Sequence, residues 1–496
     1  MANYILVMDQ GTTSSRAAIF NERGERLAME SMGFDQIYPK PGWFEHDATA
    51  IWNVTLEVSR KAIKKANLVA SDICAIGITN QRETTTIWDK NTGRPVYNAI
   101  VWACRRGDAT CSDLIDRGYE ETVNKKTGLV IDATYSATKI KWILDNVDGV
   151  RERAEKGELI FGTIDTWLLW NLTKGRVHAT DPSNASRTML YNVYDLEWDD
   201  ELLELLDIPK NILPEVKDSV GVFGYADKEW FGHEIPITGI AGDQQAALFG
   251  QACNEPGDAK NTYGTSCVPL MFIGDKPVYS KKGLLTLAWG IDKKAEYSTG
   301  ASILTAGAAV QWLRDGLKII KSTPESETLA RSVSDTAGVY FVPAFQGLAA
   351  PHWDMYARGM IIGITAGVTD AHIARATLDS MAYQTRDLLD QMEKETGTKL
   401  RSLKVDGGAA NNDYLMQFQA DILNVPVIRP ADVETTSLGT AYLAGLGAGI
   451  WKDRNELKDL WKAEKTFYPN MDEATREELY EGWKRAVEFS KGWIQR

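Results

Sequence analysis

An apolar run at residues 4–8 ends on Asp9, and the tract Gly11-Thr12-Thr13-Ser14-Ser15 separates it from a second apolar run at 17–20. The whole stretch, YILVMDQGTTSSRAAIF, reads as two antiparallel strands around a polar, glycine-bearing tip. It has an echo later in the chain, NTYGTSCVPLMFI at 261–273, again a Gly-Thr turn followed by an apolar run. Two copies of one hairpin suggest a duplicated fold, one copy per half, with a cleft between the lobes. Further strand-like runs lie at 73–79, 84–88, 159–162, 237–241, 339–342 and 403–405. Helical periodicity marks 49–66, 137–147, 200–208, 243–252, 371–397 and 413–423. Strands alternating with helices make the class α/β. The 496 residues exceed what one core holds, and NEPGDAK (254–260) joins Pro and Gly at a natural break. Two domains are expected, 1–253 and 254–496.

The formal net charge is −13. An acidic surface argues against nucleic acid or an anionic membrane as partner, so any phosphate-bearing substrate has to be held by local donors. The first ten residues lack the basic and apolar regions of a leader, and the apolar tracts are too short and glycine-rich for membrane insertion. Five scattered cysteines, Cys74, Cys104, Cys111, Cys253 and Cys267, form no CxxC pair. That pattern fits reduced thiols in the cytoplasm. The five histidines show no ligand spacing, which leaves carboxylates and phosphate oxygens to hold any metal.

Several stretches carry chemistry. The tip of DQGTT can offer backbone N–H and hydroxyl donors to a phosphate, with Arg16 as a charged partner and Asp9 facing Mg²⁺; a Gly-Thr-Thr alone is more often an ordinary turn. In GITNQRETTTIW, residues 77–88, four large polar side chains form either a solvated loop or a polyol site. In the second case Arg82 donates to hydroxyl oxygens and Glu83 accepts from hydroxyl hydrogens. Trp102, in NAIVWACRR, is either a core residue or a flat wall for a polyol. In TGIAGDQQAALFGQ, Asp243 starts a helix, as an N-cap, as a general base, or as both. NTYGTS places Gly264 and Thr265 at a second phosphate hairpin. Gly407 and Gly408, between a strand and a helix, allow a flat ligand to approach the backbone, or simply start the helix.

These stretches, with PKPGWFEHD, FGTIDTWLLW, NASRTML, PAFQGLAAPHWDMYARG and LMQFQADIL, are collinear over nearly the whole chain. Together they resemble the FGGY carbohydrate kinases, whose second signature is readable from Gly359 to Asp379. The resemblance implies two ribonuclease-H-like lobes of the actin-like ATPase superfamily, with ATP and glycerol meeting in the interlobe catalytic cleft. It implies ATP-dependent phosphorylation of glycerol to sn-glycerol 3-phosphate with Mg²⁺, by a cytoplasmic homodimer. Polyol and first hairpin fall to the N-terminal lobe, second hairpin and adenosine to the C-terminal lobe. By the same resemblance Asp9 and Asp243 place Mg²⁺, and Thr12, Thr13, Ser14 and Arg16 line the nucleotide phosphates. Gly264 and Thr265 form the opposing hairpin, and Gly307, Gln311, Gly408 and Asn412 contact the nucleotide. Arg82, Glu83, Trp102, Asp243 and Gln244 contact glycerol, with Asp243 as base.

Three stretches depart from the family pattern. Thr134 stands where a substrate-touching Tyr is usual, with Tyr135 one place later as its candidate substitute. In the second hairpin Ser266 replaces Gly and Val268 replaces a substrate-packing Phe, and Gly300-Ala301-Ser302 stands where Glu-Gly-Ala is usual. Losing two aromatic walls enlarges the pocket, so a larger polyol or ketose (erythritol, threitol, xylulose) is the alternative acceptor. Glu234 and Glu229 occupy positions at which relatives carry an inhibitor-binding Arg and a phosphorylated His, and neither regulation is implied. A catalytically silent polyol-binding regulator would have lost the base or the hairpins, and both are present.

Overall fold

The structure, a computed structural model, describes residues 3–495. The chain forms two units. The first comprises the stretch up to Asn254 together with Gly274–Ser298 and Thr435–Trp461; the second comprises Glu255–Ile273, Thr299–Glu434 and the stretch from Lys462.

The first unit is built on six strands: β1 (Tyr4–Gln10), β2 (Ser14–Asn21), β3 (Arg26–Gly33), β4 (Ile73–Asn80), β5 (Val220–Ala226) and β6 (Ile235–Gly242). Their order across the sheet is β5-β6-β4-β1-β2-β3. β1, β4 and β6 are parallel, whereas β2 returns antiparallel to β1 as the expected hairpin. Ile5, Leu6, Val7 and Met8 are all fully buried, as a continuous apolar run demands of a strand covered on both faces. Register then sets the site. Gln10 pairs with Asn80, and Asn80 with Gly242. The carboxyl ends of the three parallel strands are therefore level, and they deliver Asp9, Arg82–Glu83 and Asp243 to one edge, where open α/β sheets place their ligands.

The expected domain 254–496 needs correction, because two later segments return to the first unit. The helix Thr435–Gly447 packs on β6, β4 and β1 and on the helix Asp243–Gly250. Its sequence, TTSLGTAYLAGLG, is small enough for backbones to touch. A Cβ on Gly439 would lie 1.8 Å from the Ala246 carbonyl oxygen. The helix is buried along most of its length, its Thr and Ser residues included, so it lacks the one-sided periodicity that marks a surface helix.

Beneath the strand ends lies a buried polar network. Asp181 accepts from Ser183 Oγ (2.9 Å), Asn184 Nδ2 (2.9 Å) and Ser219 Oγ (2.7 Å), and Ser183 Oγ accepts the Gly242 N–H at 2.9 Å. Asn184 Oδ1 accepts from Asn80 Nδ2 at 3.0 Å, and Asp165 accepts from Thr163 and Thr180 hydroxyls. The last residues of β4 and β6 are thus fixed by one set of hydrogen bonds. Burial pushes the Asp165 carboxyl up to about 6, from 3.8. Between those values the folded chain holds a proton that the unfolded chain has lost. Stability contributed here is therefore present at low pH and is lost as pH rises from about 4 to about 6. Asp165→Asn removes that slope. Its stability relative to the unchanged protein should improve by up to about 3 kcal/mol between pH 4 and pH 7 in urea unfolding.

In the second unit five neighbouring strands, β7 (Asp258–Tyr263), β8 (Cys267–Gly274), β9 (Ser402–Asp406), β10 (Val427–Pro430) and β11 (Ala463–Phe467), run in the order β8-β7-β9-β10-β11. β7 and β8 form an antiparallel hairpin, and β9 and β10 follow in parallel. The run β2-β1-β4-β6 of the first unit has the same order and sense, so the sequence echo is a repeated topology.

Candidate active site

In the first hairpin the Gly11 N–H closes the turn on Ser14 O at 2.9 Å. It is therefore not one of the outward donors the sequence suggested. The N–H groups of Thr12 and Thr13 remain, and neither donates to another group among the described residues. Trp102 Nε1 donates to Thr12 Oγ1 at 3.0 Å, which joins the expected polyol wall to the hairpin. Asp9, 4 % exposed, accepts from Ser437 Oγ at 3.1 Å and lies opposite Arg16 across the hairpin.

Past the end of β4, Glu83 takes a left-handed backbone conformation, φ +61°. A non-glycine residue there costs on the order of 1 kcal/mol and persists only where its surroundings hold it. Here the hydroxyls of Ser136 and Thr85 both donate to the Glu83 carbonyl at 3.0 Å. The turn aims Arg82 and Glu83 at different partners. Arg82 Nε pairs with Asp243 Oδ1 at 3.0 Å, passing so close to Gly242 that a Cβ would lie 2.6 Å from Arg82 Cδ. Glu83 pairs with Arg187 Nε at 2.6 Å, with both side chains largely buried. The Tyr135 ring centroid lies 5.0 Å from the Arg187 guanidinium. Burial pushes the Tyr135 phenol up to about 12, and its hydroxyl has no hydrogen-bond partner among the described residues.

The turn before Tyr135 explains where the unusual Thr134 goes. Its N–H bonds to Asp132 Oδ1 at 2.8 Å, and so does its hydroxyl. The Thr134 side chain is therefore spent on Asp132, while Tyr135 occupies the aromatic position beside the Glu83–Arg187 pair. Lys139 Nζ, fully buried, donates to the carbonyls of Ala133, Thr134 and Tyr135 and holds this turn; burial lowers its ammonium to about 8.

Asp243 is the first residue of its helix, with Gly242 as the N-cap, which corrects the capping role read from sequence. Its Oδ1 accepts the Gln244 N–H at 2.7 Å as well as Arg82, and its Oδ2 accepts from no group among the described residues. The side chain is one-third exposed. Arg82, Glu83, Tyr135, Asp243 and Gln244 are thus one connected group. Arg187 and Gln245 join it unforeseen; Gln245 Oε1 accepts from Arg82 Nη1 at 3.4 Å. The signal for Arg187 is that it is the one charged residue of NASRTML, and a buried cation needs a carboxylate partner.

The second unit carries the other set. Gly264 N–H closes its hairpin on Ser266 O at 2.9 Å, and the N–H groups of Thr265 and Ser266 have no partner among the described residues. The helix Gly307–Asp315 starts on the hairpin, Gly307 N–H bonding Gly264 O at 3.0 Å. Gly264, Thr265, Gly307, Gln311, Gly408 and Asn412 all line one cavity of about 370 Å³. Among the described residues, no three His, Cys, Asp or Glu side chains gather as a metal site, and no helix is long and apolar enough to cross a membrane.

The two units repeat one sheet topology, each with a hairpin whose outward N–H groups are open, and this is the actin-like ATPase fold of sugar kinases. Residues 4–250 match the FGGY family of carbohydrate kinases, N-terminal domain, and residues 259–448 its C-terminal domain; the chain belongs to that family. It is 60 % identical to a glycerol kinase of Caldanaerobacter subterraneus subsp. tengcongensis over 496 residues, covering all of both chains. It is 61 % identical to glycerol kinase 2 of Thermotoga maritima over 494 residues, 99 % of this chain and 100 % of that one. The crystal structure of Plasmodium falciparum glycerol kinase with ADP superposes with a TM-score of 0.94 at 37 % identity, covering 100 % of this chain and 99 % of that one.

Proposed function

We propose that this chain transfers the γ-phosphoryl group of ATP to glycerol, giving sn-glycerol 3-phosphate. The observation that carries the reading is the Arg82–Asp243 pair beside Glu83–Arg187, in a chain 60 % identical to glycerol kinases over its full length. In the first unit Glu83 accepts from a glycerol hydroxyl, Arg82 and the Tyr135 hydroxyl donate to hydroxyl oxygens, and Trp102 faces the C–H side. Gln244 adds a further contact. Asp243 Oδ2, open where Oδ1 is committed, takes the proton of the attacking hydroxyl. The unbonded N–H groups of Thr12, Thr13, Thr265 and Ser266 hold phosphate oxygens, with Ser14 and Arg16 beside the first pair. Gly307, Gln311, Gly408 and Asn412 hold the nucleoside.

Two carboxylates, Asp9 and Asp243, suit a Mg²⁺ ion that keeps its waters and phosphate ligands, and such an ion needs no all-protein cage. When bound, Mg²⁺ neutralises the charge of the phosphates. We place the enzyme in the cytoplasm, in keeping with five free cysteines, and as a homodimer, as its family resemblance implies. The test is ATP consumption by purified protein with glycerol, erythritol, threitol and xylulose. Glycerol should give the highest kcat/KM; turnover at background with glycerol but not with a larger polyol would transfer the reading to that substrate.

A further inference from the structure

The nucleotide cavity contains a carboxylate among its apolar side chains. Glu327, on the helix Glu325–Arg331, lines the cavity with Val310, Pro324, Leu378 and Asn412. Its Oε1 is saturated: it accepts from Arg331 Nε at 2.9 Å, Arg331 Nη2 at 2.8 Å and the Tyr414 N–H at 3.2 Å. These bonds clamp the carboxylate, while Oε2 has no partner among the described residues. Asn412 is fixed in the complementary sense. Its Oδ1 caps the following helix by accepting the Leu415 N–H at 2.9 Å, which leaves Nδ2 as an uncommitted donor. The wall thus offers one fixed acceptor and one fixed donor among apolar side chains suited to a flat ring.

We infer that Glu327 is a specificity-determining residue that selects a purine bearing an amine at the 6-position. Adenine presents an N6 amine beside ring-nitrogen acceptors, and this matches an open carboxylate oxygen and an amide N–H. A 6-keto purine presents a carbonyl oxygen in place of the amine. Against Glu327 that places two acceptors together, and a site built to bond an N–H rejects the analogue lacking it far more strongly than an apolar pocket would. The inference rests on the proposed ATP site and goes further by assigning its base preference.

The test compares ATP with ITP and GTP for the unchanged protein, Glu327→Gln and Arg331→Ala. It reads kcat/KM for each nucleotide and, by calorimetry, dissociation constants for ADP, IDP and GDP. The unchanged protein should favour ATP over ITP, which differ at the 6-position, by about tenfold or more. Glu327→Gln keeps an acceptor for the Tyr414 N–H but adds a donor, and should reduce the ATP-to-ITP ratio about tenfold in both readouts. Arg331→Ala leaves the carboxylate in the wall but removes two of the three bonds that fix it, and should lower the ratio by less than Glu327→Gln does. Equal use of ATP and ITP by the unchanged protein overturns the inference without any variant. So does a ratio that stays within twofold in Glu327→Gln, or one lost equally in Arg331→Ala. Binding of ADP with no preference over IDP overturns base selection alone; no ADP binding at all removes the nucleotide-site reading beneath it.

Discussion

Asp243→Asn should fold and bind ADP as the unchanged protein does, but lose at least about a hundredfold in kcat with glycerol. Asparagine has the shape of aspartate and retains one oxygen for the Gln244 N–H and Arg82 Nε, both of which bond Oδ1. What changes is the second atom. Oδ2 is an open acceptor facing no protein donor; an amide nitrogen there cannot take a proton. The loss should therefore appear in kcat, with calorimetric ADP affinity and thermal unfolding little altered. A kcat within tenfold of the unchanged protein would exclude Asp243 as the base and shift proton acceptance to solvent.

The second large effect concerns Arg187. Replacing it with Met fills similar space but leaves Glu83, 5 % exposed, without its cation. Breaking a buried pair from one side costs about 3–5 kcal/mol, because the remaining charge has no compensation. Glu83 also sits in a left-handed turn that its neighbours must hold. Arg187→Met should therefore lower the urea midpoint and raise the KM for glycerol. Adding Glu83→Gln to it should recover most of the stability, since the stranded charge is gone, without restoring the KM. Two independent, additive losses in that double variant would show that the residues do not act as a pair.

Much of this was legible in the sequence because it rests on local patterns. The apolar run into Asp9 and the Gly-Thr tips are short-range signals, and both hairpins form where they were read. The helix at 413–423 was read to the residue, because one face is apolar and Asn412 caps its start. What escaped is long-range. Arg187 becomes a site residue only when Glu83, far away in sequence, turns toward it. The helix at 435–447 escaped because it is buried all round, and periodicity reports a boundary between core and water that this helix does not have. At Thr134 the sequence leaves two outcomes open, a lost aromatic wall or Tyr135 as its substitute; Thr134 is bonded to Asp132, and the Tyr135 ring lies beside Arg187. The N–H that each hairpin glycine spends on its own turn likewise leaves no mark in the residue pattern, because the backbone path alone fixes it.

The return of residues 435–461 to the first unit also bears on the order in which the protein can be made. A ribosome releases β1, β4 and β6 early, with Ile5, Ile76 and Ile240 among their buried residues. The helix that packs on those strands is made only after residue 434, with much of the second unit translated in between. The first unit cannot be completed ahead of the rest, and a chain halted before residue 435 leaves part of its central sheet uncovered. Such a sheet is a sticky intermediate, so nascent and truncated chains should be clients of chaperones and proteases until residues 435–447 have been added. Severing the gene at the sequence boundary near 254 would yield a fragment lacking its own lid, not a free-standing domain.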